Sequence, residues 1–109
     1  MGEGDDETTI LDNGPFLVRV DNSQQIPIRD EFVIGKQKKK VDYCITGNSS
    51  ISREHAMIRF LKGYYCIEDL KSKNYTYVEG KQIPAYSPVK LKDGMTIRLS
   101  DVEFVFHQN

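Results

Sequence analysis

The sequence contains no tryptophan, only two cysteines and four prolines, and no excess of charge of either sign. The balance of charge and the scarcity of cysteine each close off a class of function. Sixteen acids against fifteen bases leave a formal net charge of −1, so the chain lacks the strong positive field of a general nucleic-acid binder. No apolar run approaches the roughly 20 residues that cross a bilayer, and the start of the chain lacks the basic and apolar regions of a secretory signal. A soluble, cytoplasmic protein without membrane insertion is expected. Met1-Gly2 opens like a myristoylation signal, but that pattern wants Ser or Thr at position 6, where this chain has Asp6. Cys44 and Cys66 each sit alone inside an apolar run, without the paired spacing of metal sites. Both are expected as reduced core residues, and no metal or other cofactor is expected.

What is present suits one domain of 109 residues. Residues 1–14 are rich in Gly and acid and poor in large apolar groups. Such a segment cannot bury enough surface to offset the entropy of ordering, so it reads as a flexible acidic tail ahead of a domain over residues 15–109. From Phe16 onward the pattern becomes short β-branched and aromatic runs separated by turn residues, the mark of an all-β sandwich or barrel. The candidate strands are FLVRV, QIPI, EFVIG, DYCIT, AMIRFL, YYCIEDL, TYVEG, QIP, PVKL, TIRLS and EFVFH. Alternation over residues 56–60 and 103–107 predicts one buried and one wet face. Lys62-Gly63, Glu79-Gly80 and Asp93-Gly94 supply tight turns. The run Lys38-Lys39-Lys40 reads as a solvated loop.

Three polar segments interrupt the strands: Ile34-Gly35-Lys36, residues 49–55 (SSISREH) and residues 71–76 (KSKNYT). In a sandwich, connections cluster at the two ends, so these three segments can share one end. Their common chemistry is cation, hydroxyl and amide, the donors a phosphate dianion accepts from. No carboxylate pair suits acid–base work, and no nucleophile elbow flanks Ser52 or His55. Gly35-Lys36 is not a P-loop, because Asp30 stands where the earlier glycine belongs and no Ser or Thr follows the lysine. An enzyme is not expected.

Taken in order, I-G-K, I-S-R-E-H-A, E-D-L-x-S-x-N-x-T-x-V-x-G and L-x-x-G-x-x-I make the chain resemble the forkhead-associated (FHA) domain over about residues 16–107. The resemblance implies an eleven-stranded antiparallel β-sandwich of the FHA/SMAD-like type that binds phosphothreonine peptides. It implies that Ser52 donates to phosphate through both its hydroxyl and its backbone N–H. Arg53 stands beside it with a guanidinium suited to bidentate phosphate contact. Asn74 is implied to hold the bound peptide by its backbone, with Ser72 and Lys73 flanking it. Gly35 and His55 are implied to support the site, His55 by bracing the loop that presents Ser52. Two positions depart from the family pattern. Lys36 stands where arginine is usual, keeping the charge and losing the fork. Tyr75 stands where glycine is usual, a residue poorly suited to a left-handed backbone. Its ring either covers the peptide groove, packs into the core or is simply exposed. These departures keep open an alternative, a phosphate-independent scaffold built on the same fold.

The tail places Thr8 and Thr9 after Asp5-Asp6-Glu7, where a Ser/Thr kinase can reach them. The resemblance extends to bacterial FHA domains preceded by acidic Glu-Thr-Thr tails, which makes either threonine a candidate phosphoacceptor and the tail a candidate ligand. The alternative is a tail that only solubilises. Thr9 is separated from Phe16 by roughly 25 Å of chain at most. A sandwich strand already covers about 17–20 Å. Family resemblance puts the termini opposite the binding loops, so capture by a neighbouring molecule is easier than capture within one. The expected partners are therefore a phosphothreonine protein or the tail itself, and a Ser/Thr protein kinase.

Overall fold

The computed structural model describes residues 14–108. Thr8 and Thr9 lie outside the described residues. Among the described residues eleven strands are present: β1 Phe16–Arg19, β2 Gln25–Pro27, β3 Phe32–Gly35, β4 Tyr43–Cys44, β5 Ala56–Leu61, β6 Tyr64–Asp69, β7 Thr76–Val78, β8 Lys81–Gln82, β9 Val89–Lys90, β10 Thr96–Leu99 and β11 Val102–His107. A 3-10 turn at Lys38–Lys40 is interposed between β3 and β4. The strands form a five-stranded sheet ordered β9-β6-β5-β3-β4 and a six-stranded sheet ordered β2-β1-β11-β10-β7-β8.

Hairpin chemistry sets most of the pairing. Leu61 pairs with Tyr64 across Lys62 (φ 52°) and Gly63 (φ 88°), and Val78 pairs with Lys81 across Glu79 (φ 52°) and Gly80 (φ 80°). Left-handed residues at both central positions match the twist of antiparallel strands, as the sequence predicts. One pairing departs from the antiparallel expectation: β4 runs parallel to β3, with Ile34 opposite Tyr43 and Gly35 opposite Cys44. The chain returns for this pairing in the seven residues between Gly35 and Tyr43, tightened by the 3-10 turn.

The core lies between the sheets, where Leu17, Ile34, Ile45, Ile58, Ile67, Ile97, Leu99, Phe104 and Phe106 are fully buried. Alternation holds along β11, where Val102, Phe104 and Phe106 are buried and Glu103 is exposed. It fails at the end of β5. Phe60 shares the phase of buried Ala56 and Ile58 yet stays 45% exposed, its ring packed on that of Tyr65 at 4.8 Å. Cys66 is buried as expected, whereas Cys44 is half-buried, with its thiol donating to the Lys36 carbonyl at 3.4 Å. Both thiols are free, and burial pushes that of Cys66 up.

Register also fixes which end of the sandwich is which. Phe16 pairs with His107, while the β10–β11 turn at Ser100 lies at the other end of β11. Six residues of extended strand separate Phe16 from that turn, roughly 20 Å. No helix among the described residues is long and apolar enough to cross a membrane.

Candidate functional site

Three connections meet at the Ser100 end: the segment leaving β3, the long loop between β4 and β5, and the loop between β6 and β7. Each is ordered by a different device. In the long loop, Ile45 and Ile51 anchor in the core at 0% and 1% exposure, which leaves the intervening polar residues at the surface. Asn48 shapes that stretch as a side-chain turn, its Oδ1 accepting from the Ser50 N–H at 3.0 Å. Its amide donates to Asp101 at 2.9 Å, and the Ser50 and Ser100 hydroxyls bond at 2.8 Å, so the loop is tied to the β10–β11 turn. The Asn48 amide, with help from Ser50, holds the Asp101 carboxyl below its ordinary range.

The β6–β7 loop is organised by Asp69, which is 2% exposed. Its carboxylate accepts from the Ser72 N–H at 3.0 Å, the Ser72 hydroxyl at 2.5 Å and the Thr76 hydroxyl at 2.7 Å. A buried carboxylate needs such donors to offset the loss of water. Ser72 is therefore placed beneath the loop, buried with its hydroxyl turned to Asp69, while Lys73 and Asn74 lie above it.

Direct bonds bring the segments together. The Lys36 N–H donates to the Ser52 carbonyl at 3.0 Å and the Gln37 N–H to the Arg53 carbonyl at 3.2 Å. This strap lies so close that a Cβ on Gly35 would stand 2.1 Å from the Arg53 carbonyl oxygen, so no side chain fits there. From the other side, the Lys73 N–H donates to Ser52 Oγ at 2.9 Å, and the Asn74 amide donates to the Ser50 carbonyl at 2.8 Å.

His55 joins the loops from below. It is fully buried; its Nδ1 accepts from the Ser52 N–H at 3.1 Å, and its Nε2 donates to the Tyr75 carbonyl at 3.0 Å. That pattern requires the neutral ring with its proton on Nε2. Burial pushes the imidazole below its ordinary value, which keeps it neutral. With both nitrogens committed, His55 has no free position for proton transfer. The same contact corrects the expectation for Ser52: its backbone N–H is spent on His55, leaving the hydroxyl proton as its free donor.

Tyr75 does adopt the left-handed backbone, at φ 65°, and its ring is 47% exposed. The conformation is held by two bonds to the Tyr75 carbonyl, from His55 Nε2 and from the Ser100 N–H at 3.1 Å.

The outcome is an open cleft of about 340 Å³ lined by Lys36, Ser49, Ser50, Ile51, Ser52, Arg53, Glu54 and Lys73. Lys36, Arg53 and Lys73 are exposed, and among the described residues none of them is ion-paired. Of the residues predicted from sequence, Lys36, Ser52, Arg53 and Lys73 share this cleft. Asn74 adjoins it through Ser50, and Gly35, His55 and Ser72 lie behind it. Sequence reasoning placed residues 49–55 at this end without singling out Ser49, Ser50 and Glu54 as lining, and it missed Asn48, Asp69 and Asp101 as supports. The turn-forming Gly47-Asn48-Ser49-Ser50 run and the Asp69-x-x-Ser72 spacing carried a signal for two of these supports. Among the described residues no cluster of His, Cys, Asp and Glu could hold a metal ion.

Comparison with known proteins agrees with this geometry. The model of the FHA domain family matches residues 32–100. A 62-residue stretch is 39% identical to the transcriptional regulatory protein EmbR of Mycobacterium tuberculosis, covering 57% of this chain and 16% of the regulator. The solved structure of Mycobacterium tuberculosis EmbR in complex with a low affinity phosphopeptide superposes with a TM-score of 0.80 at 30% identity, covering 87% of this chain and 24% of that one. The MEK1 FHA domain in complex with the HOP1 pThr318 peptide superposes at 0.76 with 28% identity, covering 89% of this chain and 98% of that domain. The chain thus spans only a small part of EmbR and nearly the whole of the MEK1 domain.

Proposed function

The chain belongs to the FHA-domain family, and from that premise we propose that it is a non-enzymatic module recognising phosphothreonine peptides in Ser/Thr-kinase signalling. The observation that carries this reading is the meeting of Lys36, Ser52, Arg53 and Lys73 in one open cleft. A phosphothreonine brings about −1.5 to −2 charges and three strong acceptor oxygens. The three cations supply the opposite charge, and Arg53 adds a planar fork. The Ser52 hydroxyl already accepts from Lys73, so its own proton is available to a phosphate oxygen. Asn74 has one donor engaged by Ser50 and keeps its carbonyl oxygen for a ligand backbone. Two similar proteins, EmbR and the MEK1 FHA domain, are solved with phosphopeptides.

A phosphothreonine ligand implies a Ser/Thr kinase that makes it, and a compartment where the two meet, which for this chain we take to be the cytoplasm. The ligand is a partner protein or the chain's own tail phosphorylated at Thr8 or Thr9. Phe16 lies a full strand away from the Ser100 end, which favours capture of the tail by a neighbouring molecule. Sedimentation of tail-phosphorylated protein over a dilution series tests that version. Self-association that dissociates on dilution supports it, and a compact monomer at every concentration overturns it.

A phosphate-independent scaffold is the alternative, and it draws on Lys36 in place of arginine and on Tyr75. Calorimetric titration with a phosphothreonine peptide and its unmodified twin separates the two. Saturation by the first alone supports phosphate recognition, and equal affinities support the scaffold.

A further inference from the structure

Phosphate contact at the cleft leaves one feature of the surface unused. Lys38, Lys39 and Lys40 form the 3-10 turn after β3, all exposed, with the Lys40 N–H closing on the Gln37 carbonyl at 2.8 Å. The turn begins directly beyond the strap whose Gln37 N–H is bonded to Arg53, so its α-carbons lie within about 11 Å of Gln37. Three adjacent like charges repel one another, and the nearest acid along the chain does not relieve them. Asp42 instead pairs with Arg29 at 2.6 Å and accepts from the Val33 N–H at 2.8 Å.

The near-neutral total charge also conceals a segregation. Residues 1–13 hold five of the sixteen acids and no base, so the other residues carry eleven acids and fifteen bases, a net +4. Part of that excess is concentrated in Lys36 and Arg53, which line the cleft, and in Lys38, Lys39 and Lys40, which follow Lys36 in the chain just beyond the Gln37 strap.

We propose that the Lys38–Lys40 turn extends the positive surface of the cleft along the bound peptide and selects phosphothreonines flanked by acidic residues. The inference rests on the phosphothreonine reading and adds the class of ligand to it. An extended peptide advances about 3.3–3.6 Å per residue, so acids within about three positions of the phosphothreonine fall inside the reach of these side chains. A chain segment such as Asp5-Asp6-Glu7 ahead of Thr8 has this composition. Exposed pairs are individually weak, and a row of them acts through summed charge and through faster encounter. The expected preference for the acidic ligand is about three- to tenfold in affinity at low salt.

The test is a set of titrations with two phosphothreonine peptides, one carrying Asp-Asp-Glu before the phosphothreonine and one carrying Asn-Asn-Gln. The unphosphorylated acidic peptide is a third probe. The proteins are the full chain and its triple variant K38Q/K39Q/K40Q, whose exposed substitutions leave the core untouched. The proposal expects the full chain to prefer the acidic phosphopeptide, and the triple variant to lose that preference while binding the neutral phosphopeptide unchanged. The preference should shrink as salt rises from 0.1 M toward 1 M and the screening length falls from about 10 Å to about 3 Å. Equal affinity of the full chain for both phosphopeptides overturns it, as does a preference that survives in the triple variant. Duplex DNA or anionic vesicles binding more tightly than the acidic phosphopeptide, through the same lysines, assigns the turn to a polyanion and also overturns it. Failure to bind either phosphopeptide is a different result, since it removes the phosphothreonine reading on which the inference stands.

Discussion

The backbone N–H of Lys73 donates to the hydroxyl oxygen of Ser52 across 2.9 Å, joining the β6–β7 loop to the β4–β5 loop at the mouth of the cleft. The bond occupies an acceptor position of the hydroxyl and leaves its proton uncommitted. Ser52 is thus the junction of two loops, and in the proposed function its hydroxyl is also the donor to phosphate.

Replacing Ser52 or Arg53 with alanine should weaken phosphothreonine-peptide binding by about 1.5–3 kcal/mol each, the scale of a hydrogen bond to a charged group. Calorimetry on the two single variants checks this. Unchanged affinity in both moves the ligand away from the cleft.

Lys36→Arg restores the fork that the family usually places after Gly35. It should tighten phosphopeptide binding by about 1 kcal/mol, because bidentate contacts are stronger than those of a single ammonium. The gain must be absent for the unmodified peptide.

Two backbone substitutions should move stability in opposite directions. Gly35→Ala forces a Cβ onto the Arg53 carbonyl and should cost about 1–3 kcal/mol. Tyr75→Gly releases a left-handed non-glycine residue at φ 65°. That strain is about 1–2 kcal/mol, partly offset by the greater freedom of glycine in the unfolded chain, so a net gain of about 0.5–1 kcal/mol is expected. Tyr75→Ala keeps the positive φ and should gain nothing. Denaturant melts at pH 7 report all three.

The lowered proton affinity of His55 makes a prediction about acid. Below the ordinary histidine value of about 6.5 the unfolded chain binds a proton there that the folded chain resists. Stability from this group is therefore full above about pH 6.5 and lost as pH falls through the folded value, at up to about 1.4 kcal/mol per pH unit. Protonation also removes the Nδ1 acceptor that holds the Ser52 N–H. Denaturant titrations from pH 7.5 to 5 should show the decline, and His55→Gln should flatten it. His107→Gln, which changes the other histidine, serves as the control.

The strands were legible because apolar alternation and left-handed turn pairs such as Lys62-Gly63 are local signals, and each expected strand has its counterpart among the eleven. The parallel pairing of β3 with β4 was not, since strand direction depends on how the intervening turn folds rather than on either strand's composition. Among the site residues, Ser52, Arg53 and Lys73 were legible as a donor set by residue type and family pattern. The burial of Ser72 and the commitment of the Ser52 N–H to His55 were not, because both are set by partners three residues away whose geometry appears only in the folded loop. Asp69 was only partly legible: its spacing to Ser72 carried a signal, but the Thr76 hydroxyl that also converges on it is brought there by the folded loop.

Phosphate recognition in the cleft is put to the test by titrating the chain with one peptide sequence in phosphothreonine, phosphoserine and unmodified forms. The expected result is saturable binding of the phosphothreonine form, weaker binding of the phosphoserine form, none of the unmodified form, and loss of the phosphothreonine signal in a Ser52→Ala, Arg53→Ala double variant. Equal binding of phosphorylated and unmodified peptides, undisturbed by the double variant, would contradict it.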